Sequence, residues 1–140
     1  KLTPIGDLAN VVESLTIGAA PEFEQRPYGP AGAKEFYNVD LAFSATGQTT
    51  LESLLADEIQ VADIYSADPA FDTQDIVALK DPENMILASN VVPIASSDVA
   101  EEIADVINAV SAELSVDDLV ELNVQSTVDQ MSPKDTAATG

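Results

Sequence analysis

The chain has 140 residues, about the size of one domain, and carries 5 basic against 25 acidic side chains, a formal charge of −20 with no histidine. That field repels phosphate backbones and anionic lipid, which argues against nucleic-acid or membrane-surface binding by the folded body. With no cysteine and no histidine, thiol nucleophiles, disulfides, imidazole bases and the commoner zinc sites drop out together, leaving a carboxylate enzyme, a hard-cation site or a binding module.

Apolar residues make up 46% of the chain, enough for a packed core, so the charge does not signal disorder. Leu8, Val11, Val12 and Leu15 recur at helical spacing, which predicts a short helix over 7–14. Leu15 to Ala20 reads as a buried strand whose small residues leave room for something to approach the backbone. Pro21 to Gly32, rich in proline and glycine, is predicted as a loop, followed by a helical turn at Ala33–Tyr37 and a second strand at Val39–Phe43. Thr49 and Thr50 open a helix over Leu51–Asp57, with Leu51, Leu54 and Leu55 on one face. Further strands are predicted at Ile59–Tyr65, Ile76–Leu79 and Val91–Ile94. Strands alternating with helices predict an α/β fold with a mostly parallel central sheet.

The last third is helical in pattern. Ser97-Asp98 is predicted to cap a helix with a buried stripe of Val99, Ile103, Val106, Ile107, Val110 and Leu114. Ser115 and Asp118 have capping-box spacing for the next helix, which carries Leu119 and Leu122. Beyond Met131 the composition turns small and polar, and fraying is expected. No apolar run reaches the ~18 residues a membrane span needs, and no repeat is visible.

Arg26, the only arginine, follows the first strand in Ala20-Pro21-Glu22-Phe23-Glu24-Gln25-Arg26. Ligands of α/β sheets gather beyond the carboxyl ends of strands, where a guanidinium grips a carboxylate through two parallel hydrogen bonds. The alternative is a surface arginine neutralising Glu22 or Glu24. Tyr65 ends the third predicted strand, and its ring either faces a cationic ligand or caps the edge of the core. The neighbouring acids Asp57/Glu58, Glu101/Glu102 and Asp117/Asp118 read as solvated helix ends. Asp72-Thr73-Gln74-Asp75 lacks the glycine and distal glutamate of a calcium loop, and no phosphate-binding or nucleophile-elbow motif occurs. No metal, cofactor or catalytic residue is therefore expected.

Three segments, taken together and in order, resemble the substrate-binding proteins of ABC importers for glycine betaine, choline and related osmoprotectants. Ile17-Gly18-Ala19-Ala20-Pro21-Glu22-Phe23 through Arg26 to Gly29 is similar to that family's "APPEF…R…G" stretch. Val61-Ala62-Asp63-Ile64-Tyr65-Ser66-Ala67-Asp68, followed by Ile76 to Pro82, resembles "VDVxxAYSTD…LVVLEDD". Asn90-Val91-Val92-Pro93-Ile94, with Leu119 to Asn123, resembles "xxAPVV…LNxxV".

The resemblance implies a lobe of a type 2 periplasmic-binding-protein fold, with a mostly parallel sheet and C-terminal helices, in a two-lobed protein that closes on a small zwitterionic or cationic solute and hands it to a membrane permease. It implies an extracytoplasmic location, secreted or lipid-anchored by a leader this chain does not carry, and no enzymatic activity. Arg26 then matches the carboxylate-binding arginine and Tyr65 one wall of an aromatic box. Phe23, in the same stretch as Arg26, joins the expected ligand-binding residues. Where the family places a second box tyrosine this chain has Leu87-Ala88-Ser89-Asn90. Ser89 and Asn90 are accordingly expected to hydrogen-bond a ligand bearing a hydroxyl or amide.

By the same resemblance, residues 1–88 form the second lobe, 89–95 a hinge strand, and 96–140 a helical return to a first lobe whose sheet is largely missing. The Val99–Leu114 stripe is then expected to fold onto the second lobe or to self-associate with another copy. A single lobe is expected to bind weakly, because affinity in this design comes from closing both walls. The alternatives are a ligand-sensing α/β domain of a regulatory protein, the same binding fold with a non-betaine polar ligand, and a carboxylate-based hydrolase or transferase that no motif supports.

Overall fold

In the computed structural model, which describes residues 2–139, β1 spans Leu15–Ala19 and lies between β2, Leu41–Ala45, and β3, Val61–Ala62. Both pairings are parallel, with Ile17 opposite Phe43 and Val61, and Gly18 opposite Ser44 and Ala62. The central strand is covered on both faces, so Ile17, Gly18 and Ala19 are buried in succession, as expected for a parallel strand packed between layers. One core cluster joins Leu8, Leu15, Ala33 and Val39; a second joins Ile17, Ala19 and Phe23, with Tyr28 and Phe43 packed against it.

The chain divides into two compact units. The first comprises 1–65 and 75–87, the second 66–74 and 88–140. In the first, Ile5–Asn10 is a 3-10 helix, shorter than the predicted 7–14 helix and shifted towards the N-terminus. The predicted loop after β1 is mostly helical. Pro21–Gln25 is a 3-10 helix, and α1, Pro30–Tyr37, starts with proline in its first turn, where the missing N–H costs nothing. Asn38 ends α1 in the left-handed conformation (φ 55°), its amide bonded to the Lys34 carbonyl while that of Val39 reaches Ala33. The helix α2, Thr50–Leu55, follows a polar turn as expected.

The later strands differ from expectation. Of Ile59–Tyr65 only Val61–Ala62 forms a ladder, flanked by Gln60 N–H to the Thr16 carbonyl (3.1 Å) and Asp63 N–H to the Gly18 carbonyl (3.0 Å). Ile59 turns inward and is buried. The Ile76–Leu79 strand is absent; Leu79 packs on the first core and Lys80 makes one isolated parallel bridge with Pro4. Val91–Ile94 has no strand partner and is exposed. An apolar extended run becomes a strand only where a neighbour offers its hydrogen bonds, and these runs have none.

The second unit contains α3 (Ala70–Thr73), α4 (Ser97–Glu113), α5 (Val116–Asn123), a π-helical turn at Val124–Val128, and α6 (Pro133–Thr139). The predicted capping box is formed: Asp118 N–H donates to Ser115 Oγ (3.2 Å) and Ser115 N–H to Asp118 Oδ2 (2.8 Å). The Ser115 hydroxyl also donates to Asp118 Oδ2 (2.6 Å), and this bond together with that from the Ser115 amide holds the Asp118 carboxyl below the usual carboxylate range. The cap of α4 is Ser96 rather than Ser97, without a side-chain bond. Where fraying was expected, Asp135 N–H donates to Ser132 Oγ (3.2 Å) ahead of α6, with proline at its first position. The α4 stripe was expected to be buried, but Val99, Ile103, Val106, Val110 and Leu114 are exposed and Ile107 is half-buried.

Candidate functional site

Because β1, β2 and β3 are parallel and in register, their carboxyl ends leave the sheet along one edge. From that edge β1 continues into Ala20–Arg26, β2 into Thr46–Thr50, and β3 into Asp63–Tyr65. This is the side of an α/β sheet where ligands are held.

The Arg26 segment is rigidly wound. Phe23 N–H donates to the Ala20 carbonyl (2.9 Å), Arg26 N–H to Phe23 (3.0 Å), Gly29 N–H to Arg26 (2.9 Å) and Ala33 N–H to Gly29 (3.0 Å). Phe23 anchors this coil in the core, with 5% of its surface exposed and its ring edge-on to Tyr28 at 5.8 Å between centroids. Gly29 is required by the close approach of the Phe23 and Arg26 carbonyls to the point where a Cβ would lie. Arg26 itself is exposed. The ion pair formed among the described residues is Lys34–Asp40, at 2.6 Å, and neither Glu22 nor Glu24 is within pairing distance of Arg26. Arg26 is thus not held in a direct ion pair with either neighbouring glutamate.

Tyr65 is 85% exposed. The other two tyrosines are committed elsewhere, Tyr28 to Phe23 and Tyr37 to Asp81. Phe23, Arg26 and Tyr65 all belong to the first unit, whereas Ser89 and Asn90 belong to the second, where they are exposed in a stretch without regular structure.

Sequence reasoning missed three features. The room left by Gly18 is taken by the protein itself: a Cβ there would lie 2.8 Å from Thr46 Oγ1 and collide with Ile59. Thr46 Oγ1 in turn bonds Thr50 Oγ1 (2.6 Å), which fixes the turn beyond β2. A Thr-Gly-x-x-Thr spacing after a strand was a readable signal for this turn. The second is Asp63, which stands just past β3 and two residues before Tyr65, its amide held by Gly18. Desolvation raises the pKa of its carboxyl above the ordinary carboxylate value. The third is the Tyr37–Asp81 pair, for which the sequence carried no local signal because the partners lie far apart in the chain.

The raised pKa of Asp63 fixes the sign of a pH effect. The folded state holds this proton more tightly than the unfolded chain, so the contribution is fully present below about pH 4 and is lost as pH rises through the folded pKa. Asp63→Asn is expected to raise the urea midpoint slightly at pH 7, with the advantage gone at about pH 3. A variant less stable than wild type at pH 7 would contradict this assignment.

Two shallow concavities among the described residues avoid these groups. One lies in the first unit near Leu8, Val12, Asn38 and Ala42, at the amino ends of β1 and β2. The other lies in the second unit between α3 and α5, where Phe71, Val120 and Val124 meet Asp72, Asp117 and Glu121. No grouping of metal-ligating side chains occurs among the described residues.

Residues 1–139 match the OpuAC family, the substrate-binding domain of ABC-type glycine betaine transport systems. The chain belongs to that family. The fold of this chain is also found in solved structures. A glycine betaine/carnitine/choline ABC transporter structure superposes with a TM-score of 0.80 at 21% identity, covering 99% of this chain and 53% of that one. Ligand-free YehZ from Escherichia coli superposes with a TM-score of 0.66 at 22% identity, covering 99% of this chain and 54% of that one. The chain thus spans about half the length of these structures, and they share the α/β periplasmic-binding-protein fold with it.

Proposed function

We propose that this chain supplies one ligand-binding wall of an extracytoplasmic solute-binding protein, which presents a quaternary-ammonium or related osmoprotectant of the glycine betaine, choline or carnitine class to a membrane permease. The observation that carries the reading is Arg26, an exposed guanidinium without an ion-pair partner among the described residues, held on a tightly wound coil beyond the carboxyl end of β1 in a chain of net charge −20. An arginine surrounded by so much negative charge and still unpaired is available for a ligand carboxylate. Tyr65, the tyrosine with its ring free, offers a face to the ligand's cation. The surrounding negative field steers a cationic group towards that face. The mechanism is binding alone, with no bond made or broken.

In this reading Phe23 acts from beneath, by holding the coil that carries Arg26. The polar side chains of Ser89 and Asn90 are read as hydrogen-bonding groups for the solute, which favours one bearing a hydroxyl or amide over plain glycine betaine. Calorimetric titration with glycine betaine, choline, carnitine and ectoine tests the set. Heat from at least one compound, lost in Arg26→Ala and Tyr65→Ala, is the expected result; binding of plain glycine betaine in preference to the hydroxyl-bearing choline and carnitine would remove the role of Ser89 and Asn90.

The exposed α4 stripe supports self-association through the C-terminal helices. Two strongly anionic copies repel at low ionic strength, so the dimer is expected to strengthen as salt screens the charge. Light scattering that reports a monomer at high protein concentration, in both low and high salt, contradicts it.

A further inference from the structure

The residues 80–86 form a strap that lies along α1 and is fastened at both ends. At its start, Lys80 N–H donates to the Thr3 carbonyl (2.8 Å) and Ile5 N–H to the Lys80 carbonyl (2.9 Å). Asp81 then accepts from the Tyr37 hydroxyl at the C-terminal end of α1, and from the amides of Met85 (3.1 Å) and Ile86 (2.7 Å). The Tyr37 hydroxyl also accepts from Glu83 N–H (2.9 Å). Towards the N-terminal end of α1, Met85 Sδ lies 3.1 Å from where a Cβ on Gly32 would stand, and the Pro27 carbonyl also closes on that point.

One side chain of the strap therefore packs over the helix turn that follows Arg26. The chain leaves the first unit immediately after the strap, at Leu87. Burial works against the charge on Asp81, but the bonds from Tyr37, Ile86 and Met85 outweigh it and hold the carboxyl below the usual range. The carboxylate is thus ionised and accepting across the neutral pH range.

We propose that Tyr37 and Asp81 are positioning residues for the Arg26 coil, acting through the strap and Met85, so that the coil and the chain leading into the second unit move as one piece. Opening the Tyr37–Asp81 bond frees the strap, lifts Met85 from Gly32 and lets the turns at Arg26 and Gly29 loosen. The consequence for ligand affinity rests on the proposed role of Arg26. The mechanical coupling does not, and is tested without ligand.

The experiment is amide hydrogen exchange on the chain and on its Tyr37→Phe, Asp81→Asn and Met85→Ala variants. In Tyr37→Phe and Asp81→Asn, exchange at Glu83, Met85, Ile86, Arg26 and Gly29 is expected to rise on the order of tenfold, while Gln60 and Asp63, the amides bonded to β1, keep wild-type rates. In Met85→Ala the rise is expected at Arg26 and Gly29 with Glu83 still protected by Tyr37. The inference is overturned if strap amides accelerate while Arg26 and Gly29 do not. Uniform acceleration that includes Gln60 and Asp63 overturns it equally, since the pair would then act only on global stability. A failed ligand titration with this exchange pattern intact would count against the role of Arg26, not against the coupling.

Discussion

Gly32→Ala is expected to destabilise the first unit by about 1–3 kcal/mol, the range for forcing extra volume into a packed site. An alanine in a helix interior ordinarily gains up to about 1 kcal/mol over glycine, and Gly32 sits inside α1. Here the gain is overridden. The new methyl would run into the Pro27 carbonyl, which is backbone and cannot swing aside, and it would meet Met85 Sδ at 3.1 Å. Gly6→Ala is the matched control, because its Cβ meets only Tyr37 Cδ1 at an ordinary 3.5 Å. Urea unfolding should show a large drop in midpoint for the first variant and none for the second. Equal midpoints would mean that the coil beneath Arg26 is looser than its contacts imply.

The second large effect is on binding. Arg26→Ala is expected to weaken solute affinity roughly 10- to 100-fold, the equivalent of the hydrogen bonds a charged pair loses. Stability should stay within about 0.5 kcal/mol of wild type, as for other exposed substitutions, because Arg26 has no ion-pair partner to lose among the described residues. Arg26→Lys keeps the charge but not the planar fork, so it should recover part of the affinity. A variant that loses stability along with affinity would recast Arg26 as structural.

Much of the fold was legible because it depends on local pattern. The apolar run at β1, the helix period of α4 and the Ser115–Asp118 box each specify their own conformation, and each is present. What failed depended on partners. Ile76–Leu79 and Val91–Ile94 have strand-like sequences but no neighbouring edge to pair with. The α4 stripe has the spacing of a buried face, yet all of its residues but the half-buried Ile107 are exposed, because periodicity records which side is apolar and not what covers it.

The site shows the same division. Arg26 and Tyr65 stood out by position, one as the sole arginine and the other as an aromatic ending a strand-like run. The long-range contacts did not. The contact of Thr46 with Gly18 and the bond from Tyr37 to Asp81 join segments that only folding brings together. The Pro21–Gly32 stretch was misread for a related reason: proline and glycine that usually mark loops here start a helix and allow close backbone packing.

The most direct test of the solute-binding account is a chemical-shift titration of the isotope-labelled chain with carnitine and glycine betaine, carried to about 50 mM because a single wall is expected to bind weakly. The account predicts saturable shifts centred on residues 23–29 and on Tyr65, abolished in Arg26→Ala. Shifts that persist unchanged in Arg26→Ala, or none at all for either solute, would contradict it.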